Sequence, residues 1–201
     1  MKNINSLNLE ITDTCNLKCS ICDIWQNKEK NSLNLDNIKE IISSKYITLG
    51  SDITITWWEP LLHNDIENIF QTIHNRWLKV NTLSTNGTLY EKLEKLLTHL
   101  KQNNIPSPNI HISIDWLEEK HDKQRWINWS FKKSLETIVK LKKQGTHIKI
   151  KYTITKHNIR DITKVFLALN STRLNSTHEP LTRMRSSPWT TKSARRQIPT
   201  Y

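Results

Sequence analysis

Cys15, Cys19 and Cys22 are the only thiols in this 201-residue chain, and they fall within eight residues of one another. A thiolate is a nucleophile, a redox group and a soft metal ligand. Three of them in one C-x3-C-x2-C segment do not suit a disulfide framework. They suit a metal or cluster site in a reducing cytosol. Bound to a four-iron cluster, three thiolates leave one iron open, and a small molecule with an amine and a carboxylate can chelate it. The same sulfurs would equally serve a zinc ion whose fourth ligand lies elsewhere, at His63 or His111.

The elements that must position this segment follow from hydrophobic periodicity. Strands are expected over Ser6 to Asp13, Asp52 to Thr56, Lys79 to Ser84, Asn109 to Asp115 and His147 to Thr155, where apolar residues alternate or run together. Between and after them, apolar residues recur at helical spacing over Leu35 to Ser44, Asp65 to His74, Leu89 to Gln102, Ser130 to Gln144 and Asp161 to Leu169. Asn34 stands where the first helix needs a cap, and Gly145 closes the fourth. Five β-α units in succession predict an α/β fold of parallel strands and crossover helices, either an open sheet or a barrel. In such barrels the reacting groups sit at the carboxyl ends of the strands. Cys15, Glu59, Ser84 to Asn86, and Asp115 all follow strands in this way, so they are expected at one mouth.

The flanking residues add a family resemblance. The run Thr14-Cys15-Asn16-Leu17-Lys18-Cys19, then Cys22-Asp23-Ile24-Trp25, resembles the cluster segment of radical SAM enzymes. That family often carries G-G-E-P after its second strand, where this chain reads Trp57-Trp58-Glu59-Pro60. After its fourth strand it often reads S-x-D-G, H-D-x-x-R-G and G-S-F. Here the same places read Ser113-Ile114-Asp115-Trp116, His121-Asp122-Lys123-Gln124-Arg125-Trp126 and Trp129-Ser130-Phe131. The resemblance covers roughly residues 6 to 169. It implies a partial (β/α) TIM-like barrel, truncated after about five β-α units. It also implies a [4Fe-4S] cluster on Cys15, Cys19 and Cys22, with S-adenosylmethionine on the open iron. The implied function is reductive cleavage of that cofactor to a 5'-deoxyadenosyl radical, then hydrogen-atom abstraction from a substrate. The implied cofactor-binding residues are Trp57, Trp58, Glu59, Pro60, Ser84, Asn86, Ser113, Asp115 and Arg125. Glu59 would face the amino group of the cofactor and Arg125 its carboxylate. The last two motifs resemble peptide-modifying (SPASM-type) enzymes and the molybdenum-cofactor cyclase. A small molecule or peptide is the expected substrate, with flavodoxin or ferredoxin as reductant. The alternative is a non-catalytic three-cysteine zinc module.

The tryptophans depart from that pattern systematically. The chain holds eight Trp and three Gly, whereas average usage is about 7% Gly. Trp57, Trp58, Trp77, Trp116, Trp126 and Trp129 stand where the family has Gly, while Trp25 stands where it has Trp. A gene that uses UGA for glycine, translated as if UGA meant tryptophan, would produce this exchange. With Trp57 and Trp58 in place the polypeptide is expected to be unstable and inactive, because bulky side chains fill space that close backbone approach requires.

Composition narrows what remains. The net charge is +11, but the chain lacks the basic stripe with interleaved aromatics that marks a nucleic-acid groove, so a Lys-rich solvated surface is favoured. His63, His74, His99 and His121 lie in polar surroundings and read as solvated. No apolar run reaches 18 residues and the N-terminal residues are polar, so neither a membrane span nor export is expected, and the cytoplasm is. G-x-S-x-G, phosphate-cradling and H-E-x-x-H motifs do not occur. From Ser171 onward periodicity stops, and six Lys/Arg stand with a single Glu. This stretch resembles a translated sequencing adaptor. It is set aside as a non-native or disordered tail over 171–201, leaving 1–170 as the core domain.

Overall fold

The computed structural model describes residues 3–171. Residues 172–201 lie outside the described residues, and with them nearly all of the segment read as a tail. Five strands form one sheet: β1 (Ile4–Leu9), β2 (Ile47–Ile55), β3 (Val80–Thr85), β4 (Asn109–Ser113) and β5 (Ile148–Lys151). They lie in sequence order, every neighbouring pair parallel. Parallel neighbours need crossovers. These are α1 (Leu35–Ile42), α2 (Ile66–His74), α3 (Tyr90–Gln102), and α4 (Glu118–Arg125) followed by α5 (Ser130–Lys143); α6 (Ile162–Ser171) follows β5. The expected β-α alternation is the observed one.

The core lies between sheet and helices. Ile53, Ile55, Leu83, Ile110 and Ile112 on the strands are fully buried, as are Ile38, Ile69, Ile73, Leu96, Leu100 and Leu141 on the helices. Each such side chain contributes about 1.5–3 kcal/mol by leaving water, so the sheet is a rigid base for its loops. α1 begins where its sequence says. Asn34 Oδ1 accepts from the Asn37 N–H at 2.9 Å and Asn37 Oδ1 accepts from the Asn34 N–H at 3.1 Å, a reciprocal cap.

Strand limits differ from expectation for local reasons. β1 ends at Leu9 rather than Asp13, because residues 11–13 pair with 31–33 instead: the Leu33 N–H donates to the Ile11 carbonyl at 2.9 Å and the Asp13 N–H to the Asn31 carbonyl at 3.0 Å. β5 ends at Lys151 rather than Thr155. Beyond it, the Thr153 N–H donates to Asp115 Oδ1 at 2.8 Å and the Thr155 N–H to Asn158 Oδ1 at 2.7 Å, so side chains take the donors a ladder would use. α4 was not foreseen. Its sequence, EEKHDKQR, carries no apolar residue, and its buried side chains are His121, Gln124 and Arg125, so apolar periodicity had nothing to register.

Candidate metal centre

The cysteine segment is an irregular loop that follows β1 and is tied to neighbours on two sides. On one side, Asn16 Nδ2 donates to Thr88 Oγ1 at 2.9 Å and Asn86 Nδ2 donates to Asn16 Oδ1 at 2.8 Å. Asn86 Oδ1 in turn accepts from the Thr88 N–H at 2.9 Å. These bonds tie the residue after Cys15 to the turn that leaves β3. On the other side, the Ser20 N–H donates to the Gln124 carbonyl at 2.8 Å and the Lys18 N–H to the Arg125 carbonyl at 3.4 Å. The last turn of α4 therefore backs the segment between Cys15 and Cys22. The Trp25 indole N–H reaches the Cys19 carbonyl at 3.3 Å.

All three thiols are half-buried. Burial pushes the Cys19 thiol up to about 11, against the pull of the Arg125 guanidinium; the Cys15 thiol is raised by burial too, with Glu59 and Cys22 adding to the rise. Cys15 and Cys22 both act on Cys19, so the three sulfurs share one electrostatic environment. Among the described residues no three His, Cys, Asp or Glu side chains converge as a ready-made metal cage. The donor chemistry nevertheless fits a cluster: three thiols on one irregular loop, beside a buried guanidinium whose charge opposes the effect of burial at Cys15 and Cys19. The zinc alternative loses one of its two candidates. His63 is buried, its Nε2 lies 2.8 Å from the Leu33 carbonyl, and its Nδ1 accepts from the Asp65 N–H at 3.0 Å. Both ring nitrogens are engaged.

The other sequence-predicted residues gather at the same strand ends. Glu59 is completely buried and its carboxylate turns inward. It accepts from the Thr85 hydroxyl at 2.8 Å, the Asn86 N–H at 2.8 Å and the Leu61 N–H at 3.3 Å. The carboxylate thus fastens the end of β2 to the end of β3. Burial raises its pKa to about 7 in spite of those donors. Pro60 opens a single 3-10 turn, Pro60–Leu62, for which Glu59 is the cap. Immediately before Glu59, the Trp57 and Trp58 rings stand 6.0 Å apart, and the Glu59 N–H donates to the Thr14 carbonyl at 3.1 Å.

Arg125 is buried and bridges three segments. Its Nη1 donates to the Asn86 carbonyl at 3.0 Å, its Nη2 to the Ser113 carbonyl at 2.7 Å, and Nη2 lies 3.7 Å from Asp115 Oδ2. Asp115 reaches the start of the loop after β5 through Thr153. Ser84 is buried at the end of β3, and Ser113 is half-buried. The structure therefore brings Cys15, Glu59, Asn86, Ser113, Asp115 and Arg125 to one end of the sheet.

Two histidines differ from expectation. His63 and His121 are buried rather than solvated, because each sits on a polar segment that packs inward. His121 stands edge-on to Phe131 at 5.6 Å, and burial drives its pKa down to about 2. Sequence reasoning missed Asn16 and Thr88 as residues that hold the mouth together through side-chain bonds; Thr85 lay within the span expected there, but its bond to Glu59 was not foreseen. The cleft of about 430 Å³ lined by Glu67, Glu94, Lys95 and His99 lies on α2 and α3 and contains none of these groups.

A model of the family described as "Radical SAM superfamily" matches residues 9–169. The chain belongs to the radical SAM superfamily. It is 34% identical over 125 residues to the "Probable GTP 3',8-cyclase" of Methanococcus vannielii, covering 61% of this chain and 40% of that protein. It is 27% identical over 161 residues to the sporulation killing factor maturation protein SkfB of Bacillus subtilis, covering 80% of this chain and 38% of that one. This radical SAM chain thus spans about 40% of the length of these curated relatives. Its fold is shared with solved structures. It superposes on anSMEcpe with bound AdoMet and Cp18Cys peptide at a TM-score of 0.65, with 21% identity, covering 83% of this chain and 48% of that one. It superposes on Streptococcus suis SuiB bound to precursor peptide SuiA at a TM-score of 0.63, with 15% identity, covering 85% of this chain and 38% of that one. The five parallel strands and their helices are accordingly part of a TIM-like barrel. Among the described residues no helix is long and apolar enough to cross a membrane.

Proposed function

We propose that this chain supplies the cluster-binding and SAM-binding core of an enzyme that cleaves S-adenosylmethionine reductively and abstracts a hydrogen atom from its substrate. The observation that carries this reading is the position of the three-cysteine loop. It sits at the carboxyl end of a parallel sheet and is stitched by Asn16 to the β3 turn and by its backbone to α4. Cys15, Cys19 and Cys22 would hold a [4Fe-4S] cluster, leaving one iron for the amine and carboxylate of the cofactor. When bound, the cluster supplies the electron that breaks the sulfonium C–S bond and so generates the 5'-deoxyadenosyl radical. The chain's own residues do the rest. Arg125 keeps a fixed positive charge beside the thiolates and holds the β3 and β4 ends together. Glu59 fixes the turn that carries residues 57 and 58 against Thr14. Ser84, Asn86, Ser113 and Asp115 line the same end of the sheet and are the candidates for the cofactor's hydroxyl and carboxylate groups. The matches to SkfB and SuiB, a maturation protein and a structure with a precursor peptide, favour a peptide substrate, with a small molecule as the second candidate. A flavodoxin or ferredoxin is the proposed electron donor, and the reducing cytoplasm the proposed compartment.

The direct test is anaerobic reconstitution of the full chain with iron and sulfide. About four irons per chain, a reduced-cluster EPR signal, and loss of both in Cys15→Ala, Cys19→Ala and Cys22→Ala are expected. A colourless chain holding one zinc would replace this reading with the zinc module.

A further inference from the structure

Among the described residues, six that are not glycine have a left-handed backbone: Trp57 (φ 68), Trp58 (φ 45), Trp77 (φ 61), Trp126 (φ 55), Trp129 (φ 74) and Asn104 (φ 55). For L-residues this region crowds Cβ against the following carbonyl. Glycine enters it readily and asparagine tolerates it, but a bulky side chain there is an outlier. Five of the six are nevertheless tryptophans. Two of the chain's glycines, Gly87 (φ 80) and Gly145 (φ 72), share the same region.

Four helix ends make the pattern sharper, because they use one hydrogen-bond scheme. After α5, the Gly145 N–H donates to the Lys142 carbonyl and the Thr146 N–H to the Leu141 carbonyl. After α3, the Asn104 N–H donates to Lys101 and the Ile105 N–H to Leu100. After α2, the Trp77 N–H donates to His74 and the Leu78 N–H to Ile73. After α4, the Trp126 N–H donates to Lys123 and the Ile127 N–H to Asp122. This paired bonding is the Schellman motif, whose left-handed residue is usually glycine and sometimes asparagine. In the four copies here that residue is Gly145, Asn104, Trp77 and Trp126.

The side chains themselves give little reason for tryptophan: the Lys132 ammonium lies 5.1 Å from the Trp129 ring centre and the Trp126 ring stands 6.4 Å from that of Trp25, but these contacts are made by rings that remain mostly exposed. Trp77 is 85% exposed, Trp126 67%, Trp129 59% and Trp57 54%. Trp25 is the contrast. Its φ is not positive, its indole N–H donates to the Cys19 carbonyl, and the Lys18 ammonium lies 5.9 Å from its ring centre. Trp116 is also unlike the five, being 8% exposed without a left-handed φ, so backbone geometry makes no demand for glycine there.

We propose that residues 57, 58, 77, 126 and 129 are glycine in the protein as its cell makes it, each specified by a UGA codon that the organism reads as glycine. At 57, 58 and 126 the exchange removes three indoles from the surroundings of the cysteine loop. Residues 57 and 58 then present bare backbone between Thr14 and Glu59, a consequence that rests on the proposed function, whereas the glycine identity itself does not.

The codons test this directly. UGA at all five positions, with UGG at Trp25, is the expected result, and UGG at any of the five overturns it. A second measurement is independent of the gene. The full chain with all five positions changed to glycine should melt at least about 10 °C higher than the parent, as five left-handed strains are relieved. Trp25→Gly should melt lower. A five-glycine chain that melts at or below the parent overturns the proposal, whatever its cluster content.

Discussion

Glu59 and Arg125 show how single residues decide the chemistry of this mouth. Glu59 keeps its proton in the fold up to about pH 7, against 4.5 for the ordinary side chain, because burial outweighs its hydrogen bonds. A folded-state pKa raised in this way stabilises the protein below pH 4.5, and the stabilisation is lost as pH rises to about 7. His121 acts in the opposite sense. Its pKa falls from 6.5 to about 2, so the stability it provides above pH 6.5 is lost as pH falls toward 2. Between pH 4.5 and 6.5 the two slopes, about 1.4 kcal/mol per pH unit each, oppose one another. Glu59→Gln should therefore unmask the His121 slope. Urea titrations at pH 4.5, 5.5 and 6.5 are expected to show stability climbing with pH more steeply in the variant than in the parent; parallel profiles would contradict this. Arg125→Gln removes the guanidinium from the Asn86 and Ser113 carbonyls and leaves Asp115, 4% exposed, without its cation. A loss of about 3 kcal/mol is expected in chemical denaturation.

At the scale of elements, the joints between helices and loops carry more information than the helices themselves. Asp122, in the middle of α4, caps the next helix. Its Oδ2 accepts from the Trp129 N–H at 2.7 Å, and its Oδ1 accepts from the Ser130 hydroxyl at 2.7 Å and the Phe131 N–H at 2.8 Å. Asp122→Ala should cost about 1–2 kcal/mol, while Asp122→Asn should recover part of it, both read by thermal denaturation. Gly87 is a second joint. A Cβ there would lie 2.7 Å from Ile112 Cγ2 and 3.2 Å from the Ser134 side chain, at φ 80. Gly87→Ala is expected to destabilise by more than about 2 kcal/mol. Gly145 has open space around its α-carbon, so Gly145→Ala should cost only the backbone strain, about 1 kcal/mol. These joints also mark the limit of what the sequence disclosed. Apolar periodicity exposed all five β-α units, because burial on one face writes itself into the pattern, as in Leu93, Leu96 and Leu100 of α3. α4 has no such pattern, since it buries His121, Gln124 and Arg125. The three cysteines and the strand-end acids were legible from spacing and position. The inward turn of the Glu59 carboxylate and the Asn16–Asn86 link were not, because both depend on contacts across 27 and 70 residues of chain.

At the scale of the whole molecule, a parallel sheet buries apolar side chains beneath it and leaves its carboxyl end to polar groups. The loop after β1, the Glu59 turn after β2 and the Asn86 turn after β3 meet there through direct hydrogen bonds, and Arg125 links Asp115 after β4 to the Asn86 turn. A site of this kind is assembled from several strands at once, so it should fail cooperatively: loss of Arg125 or Asn86 should loosen the cysteine loop as well as the strand end. The most direct measurement is the yield of 5'-deoxyadenosine from S-adenosylmethionine and dithionite. It would use the reconstituted full chain with glycine at residues 57, 58, 77, 126 and 129. Product that disappears in Cys15→Ala, Cys19→Ala and Cys22→Ala is the expected result. A folded, four-iron chain that binds S-adenosylmethionine and leaves it uncleaved would contradict the proposed activity.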